Sequence, residues 1–236
     1  MFVVWYGIGF VLMLFWEIPA WLQFSNAIFL ILYAVCMVDL FATIYTWKRL
    51  IWICAARVAI VTFFIEVIGI STGFPFGEYH YTATLGPLLL GVPFTIALAW
   101  VGIIANSILL STQSNKWLRA LDTGLWVVVL DLILDPVAEQ MNFWHWQHPG
   151  AYFQIPTTNF ISWYVIGALL SFVFPLVERS QQTHRIATRL FQLMLFMFGS
   201  LGWKHGFPSL FPLAIGFIFV SEGRYRYAYR TKKQTV

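Results

Sequence analysis

VVVLDLILDPVAE, residues 127–139, decides the fold. Read as a helix, it stacks Asp131, Asp135 and Glu139 at intervals of four along one face, and every other position except Pro136 is apolar. A charge at mid-membrane costs at least about 2.5–3.5 kcal/mol, so acids in an apolar helix mark an interior site or pathway. Like charges at that spacing repel, and desolvation adds to the cost of ionising them all. Pro136 lacks an N–H and its ring displaces the carbonyl of Leu132, which predicts a kink and room beside the acids.

The rest of the chain supplies the apolar solvent. The 236 residues are 60% hydrophobic and 10% charged, against about 25% charged in soluble domains. Runs at 2–22, 26–46, 51–70, 87–110, 118–139, 159–177, 187–203 and 207–222 each approach the roughly 20 residues that a spanning helix needs. Strict alternation, the mark of a barrel, is absent from them. The expectation is an all-α polytopic transmembrane bundle of about eight spans, multi-pass in the cell membrane, with no cleavable signal peptide. Lys48, Arg49, Arg57, Lys116, Arg119, Arg179, Arg185, Arg189, Arg224, Arg226, Arg230, Lys232 and Lys233 fall on one side of that layout and Lys204 on the other. The positive-inside rule then makes both termini cytoplasmic. Residues 1–236 read as one integral-membrane domain and 223–236 as its basic cytoplasmic tail, lying on anionic lipid. That tail accounts for the pI of about 9.1 without nucleic acid. Cys36 and Cys54 fall in apolar runs and read as packing residues.

Topology gathers distant polar residues at the outer face. Glu66 ends the third run, and FPFGEYHYTATLGP, residues 74–87, follows with Glu78, Tyr79, His80 and Tyr81. Its prolines and glycines predict a non-helical segment at membrane depth, tolerated because it lines a cavity. The segment 141–160 adds Trp144, His145, Trp146, His148, Tyr152 and Asn159. The plainer reading of the tryptophans is an interfacial belt. The plainer reading of the aspartates is pairing with Arg or Tyr of a neighbouring span. Gly69-x-x-x-Gly73 permits close helix contact, within one chain or between two.

Five histidines are too few for a di-iron hydroxylase; a single zinc on His80, His145 and His148 is the alternative those residues leave open. No Gly-rich phosphate cradle and no G-x-S-x-G elbow is present. What remains is acid–base chemistry in an apolar pocket. A protonated carboxyl can protonate an alkene, aromatic faces can shield the cation, and a second carboxylate can deprotonate water. With water excluded, the same groups would serve a cyclase or isomerase; as a relay they would serve a proton-coupled transporter.

Residues 74–100 and 121–163 closely resemble the membrane carotenoid biosynthesis protein family, whose members include bisanhydrobacterioruberin hydratase and γ-carotene 1′-hydroxylase-like carotenoid 1,2-hydratases. The matching positions include Pro75, Phe76, Gly77, Tyr79, Tyr81, Trp100, Asp131, Asp135, Pro136, Trp144, Trp146, Tyr152, Asn159 and Trp163. Gln154 and Ser162 stand where that family usually has glycine. The resemblance implies addition of water across the terminal double bond of an acyclic (ψ) carotenoid end, giving a tertiary 1-hydroxyl. Its partners would be the carotenoid, water, membrane lipid and other enzymes of that pathway, with no nucleic acid, no cofactor and no metal. The expected roles are Asp131 or Asp135 as proton donor and Glu66 or Glu78 on water. Tyr79, His80, Tyr81, Trp100, Trp144, Trp146, Tyr152 and Asn159 would surround the substrate.

Overall fold

The computed structural model describes residues 1–176, 178 and 180–230. Among them are eight α-helices: α1 (Phe2–Phe15), α2 (Phe24–Ala42), α3 (Lys48–Thr72), α4 (Phe94–Leu110), α5 (Lys116–Gln140), α6 (Thr157–Ser171), α7 (Gln181–Lys204) and α8 (Leu210–Arg230). Four short strands lie between them: β1 (Tyr79–Tyr81), β2 (Leu88–Leu89), β3 (Val92–Pro93) and β4 (Trp144–Trp146). By length and composition, Ala20–Ala42, Lys48–Thr72 and Gln181–Lys204 are long and apolar enough to cross a membrane, and α1 and α4 are shorter apolar helices.

The helices are trimmed relative to the hydrophobic runs that predict them, for local reasons. The run 2–22 gives a helix of only 14 residues, about 21 Å long. Pro19 interrupts it, and a short 3-10 turn at Ala20–Leu22 leads into α2. The run 87–110 begins as a β2–β3 hairpin whose turn holds Leu90 and Gly91 at φ of 51° and 82°, so α4 starts only at Phe94. In contrast, α8 continues to Arg230, carrying part of the expected basic tail as helix. The rest of the tail, like Arg179, lies outside the described residues.

α4 is the hub. It packs against α2, α3, α5, α6 and α7, and every residue from Trp100 to Leu110 is buried. Close approach uses small residues, the membrane counterpart of ridge packing. A Cβ at Gly102 would meet the Tyr33 ring of α2 at 2.6 Å, and one at Gly124 of α5 would meet the Tyr164 carbonyl of α6 at 2.6 Å. Asn106 of α4 donates to the Tyr33 hydroxyl at 2.9 Å, locking α2 onto the hub.

Both ends of the bundle are sealed by groups that satisfy free helix carbonyls. At one end Arg119 donates to the carbonyls of Ser171, Phe174 and Pro175 at 2.6–2.8 Å, capping α6. Nearby, Arg224 makes a two-pronged bond to Asp122 at 2.6 and 2.9 Å. At the other end Lys204 donates to the carbonyls of Met13 and Trp16, capping α1. That end also gathers β1 against β4 and Phe153 against Phe207, 4.9 Å between rings. Glu66, the 74–87 segment and the 141–160 segment thus meet at one end of the bundle, as expected, and the ends of α1 and α7 lie there too.

Because three carbonyls depend on one guanidinium, Arg119→Met should destabilise the protein by about 3 kcal/mol. Arg226→Ala, which removes only the exposed pair with Glu222, should cost less than about 1 kcal/mol. Unfolding by SDS titration in mixed micelles measures both.

Candidate functional site

The 74–93 and 141–156 segments close the bundle end through an antiparallel ribbon. β1 pairs with β4 in the register Tyr79↔Trp146, His80↔His145 and Tyr81↔Trp144. Alternation in a strand sends neighbours to opposite faces. Tyr79, Tyr81 and Trp144 turn inward and are buried, Trp146 is half-buried, and His80 is exposed. Further bonds fasten the ribbon: Thr82 N–H to the Phe143 carbonyl at 3.1 Å and Gln147 N–H to the Glu78 carbonyl at 2.9 Å.

Beneath the ribbon lies Glu66, 3% exposed. Its Oε2 accepts from the hydroxyls of Tyr79 and, at 2.8 Å, of Tyr81, while its Oε1 accepts from the Trp100 indole at 2.7 Å. Three donors from two loop residues and the hub helix thus satisfy one carboxyl group. Burial first, and the charge of Glu66 second, push both tyrosine pKa values up, which keeps the phenols protonated as donors. Gly69, one turn after Glu66, makes room for them: a Cβ there would meet Phe76 and the Tyr79 hydroxyl, each at 2.9 Å. The Gly69-x-x-x-Gly73 pattern serves packing within the chain, with Gly73 ending α3 at φ 76°.

Across the same interior, Asp131 and Asp135 of α5 are 0% and 1% exposed. Asn159 of α6 donates to both, at 3.2 Å to Asp131 Oδ2 and 2.8 Å to Asp135 Oδ2. Glu139, the third acid of the face, is only half-buried. Pro136 lies inside a continuous α5. The Leu132 carbonyl that it frees accepts the Tyr152 hydroxyl at 2.9 Å. Tyr152 is held there by a tight turn in which Gly150 N–H meets the Gln154 carbonyl at 2.8 Å. A Cβ at Gly150 would sit 1.9 Å from the Ile155 carbonyl oxygen. Gln154 has φ 67°, so the backbone keeps the left-handed geometry that favours glycine although the residue is glutamine. Ser162, the other departure, lies within 2.8 Å of the Pro75 carbonyl and 2.7 Å of that of Thr158, tying α6 to the loop.

Glu66, Asp135 and Asn159 line one cavity of about 60 Å³, walled by Tyr79, Tyr81, Trp100, Trp144, Trp146 and Trp163 among others. One water needs roughly 10–15 Å³ on this measure, so the space admits several waters or a small branched apolar group. Trp100 and Trp163 stack with ring centres 4.1 Å apart. Asp131 is not part of that lining, although Asn159 ties it to Asp135.

Not every residue expected at the site faces this cavity. Glu78 is exposed, 3.4 Å from His148, at the surface of the ribbon. His80 stacks near His145 on the outer face, 5.5 Å between rings. Tyr152 supports α5 from outside the lining. Among the described residues no group of three or more His, Cys, Asp and Glu is arranged to hold a metal ion. Phe76, Leu85, Ile96, Phe143 and Phe198 also line the cavity, and nothing in the sequence marks them as site residues.

The chain is 34% identical over 117 residues to the bisanhydrobacterioruberin hydratase of Haloarcula japonica, a match covering 47% of this chain and 40% of that protein. The chain therefore spans well under half the length of that curated relative in the matched region. No solved structure matches it. A family model described as carotenoid biosynthesis protein matches residues 25–222. With most of its length inside that match, the chain belongs to the carotenoid biosynthesis protein family.

Proposed function

We propose that this protein is a cofactor-independent carotenoid 1,2-hydratase, acting on the ψ end of an acyclic carotenoid. The observation that carries the reading is the convergence of Glu66 and Asp135 on one aromatic cavity. The similarity to a bisanhydrobacterioruberin hydratase supports it. The whole chain forms a single integral-membrane unit of the cell membrane, with eight spans and both termini cytoplasmic. The grouping of odd-helix C-terminal ends, and the concentration of Arg119, Arg224 and their neighbours at the opposite end, support that orientation.

Asp135 is the proton donor. Its carboxyl proton goes to C2 of the terminal double bond, the π electron pair forms the new C–H bond, and a tertiary cation is left at C1. The stacked pair Trp100 and Trp163 lines the space for that charge, a cation–π contact contributing about 0.5–2 kcal/mol. Glu66, held by Tyr79, Tyr81 and Trp100, is the carboxylate that orients water and takes its proton as the C–O bond forms. Return of that proton to Asp135 closes the cycle. Asp131 and Asn159 position the Asp135 carboxyl. The cavity lining favours Asp135 over Asp131 as donor.

Four outcomes are expected in cells making an acyclic carotenoid, with products read by mass spectrometry. The unsubstituted protein gives a product heavier by one water; a product of unchanged mass would mean cyclisation or isomerisation. Asp135→Asn and Glu66→Gln should each lower hydration about 10²–10⁴-fold with normal membrane abundance. Tyr79→Phe removes one donor to Glu66 and should cost roughly 10–100-fold. Gly69→Ala should mimic it by pushing the Tyr79 hydroxyl aside, with a loss of about tenfold; full activity in Gly69→Ala would show that this placement does not matter.

A further inference from the structure

α1 buries side chains in the bundle only along its first half. Phe2 packs on Phe29 and Tyr33, 5.5 Å between rings in each case, and Tyr6 donates to the Leu193 carbonyl at 2.8 Å. After Tyr6 no residue of α1 is buried. Beyond Tyr6, α1 keeps a ring contact from Phe10 to Phe196 of α7, 5.7 Å between centres, and the Lys204 cap at its end, and a cleft of about 200 Å³ opens beside these contacts. Gly9, Leu12 and Met13 form one wall, Phe29 another and Met197 with Leu201 the third. Ile8 and Phe24 at its rim are 58% and 54% exposed.

We infer that this cleft is the binding channel for the polyene chain of the substrate, and that it meets the catalytic cavity at Leu30, Leu85, Phe143 and Phe198. Those four residues line both spaces, so a molecule seated in the cleft reaches the site across one shared wall. Among the described residues none that lines the cleft is charged, and Ser25 and Asn26 are its polar members. A polar ligand would lose its hydration there without replacement partners, whereas an extended isoprenoid loses none. Methionines at positions 13, 141 and 197 suit a long, slightly curved apolar guest because their side chains adapt. A second apolar groove lies between α3 and α6, with Ile65, Ile68, Phe74 and Ile161 along it, but it shares no residue with the catalytic cavity. The assignment rests on the hydratase reading for the identity of the guest, and its test separates the two.

Gly9 offers a clean obstruction, since a Cβ there meets nothing within 4 Å. In the Asp135→Asn background, protein purified from cells making an acyclic carotenoid should retain the pigment, read as visible absorbance per protein. Adding Gly9→Phe should lower retention at least about tenfold, while Ile161→Trp in the other groove should keep it within about twofold. In the active protein, Gly9→Phe should raise KM for the full-length carotenoid about tenfold. It should spare a short ψ-ended isoprenoid that needs only the catalytic cavity. Undiminished retention in Gly9→Phe, loss in Ile161→Trp, or no retention in the Asp135→Asn parent would overturn the channel. Undiminished retention would also be the result if membrane acyl chains fill the cleft instead. Failure of the hydratase reading shows separately, as no water added by the unsubstituted protein.

Discussion

A carboxyl group buried in an apolar bundle has to find its hydrogen-bond partners within the chain, and Glu66 finds three. Two of them, Tyr79 and Tyr81, arrive from a loop, and the third, Trp100, from the helix at the centre of the fold. Each unsatisfied buried polar group costs about 1–3 kcal/mol, more when charged. The ribbon of β1 and β4 is therefore a structural consequence of the carboxylate as much as a cover over it. The pairing places aromatic side chains inside and histidines outside, and this fixes which loop residues line the cavity.

The same requirement explains features that look unrelated. Pro136 frees a carbonyl at Leu132, and Tyr152 comes from a glycine-dependent turn to meet it. The end of α6 is capped in the interior by Arg119, and the exposed end of α1 by Lys204. Asn159 donates to two acids at once, which brings α6 to the face of α5. In each case a polar group that lipid cannot serve is served by a residue distant in sequence.

Hydropathy and the four-residue spacing of acids were enough to read helices, burial of Asp131 and Asp135, and the segments that meet at one end. Helix length was less legible, because Pro19 and the β2–β3 turn override runs that composition alone would extend. Glu78 and His80 share a short segment with Tyr79 and Tyr81, yet they lie on the surface, since only strand alternation tells the two sets apart and three residues are too few to display it. Nothing in the sequence separates Asp131 from Asp135, which occupy one helical face; the cavity does distinguish them, since Asp135 borders it and Asp131 does not. Phe143 and Phe198 were illegible as site residues: nothing in an apolar sequence marks which phenylalanine borders a void.

The chemistry proposed for the cavity joins water to a carbon–carbon double bond by proton transfer from a carboxyl group. Purified protein supplied with an acyclic carotenoid in water labelled with the heavy oxygen isotope, without added cofactor, tests it most directly. The expected product is a tertiary alcohol carrying the label in its hydroxyl oxygen, formed by the unsubstituted protein and absent with Asp135→Asn. A product without the label, or labelled product formed equally by Asp135→Asn, would contradict it.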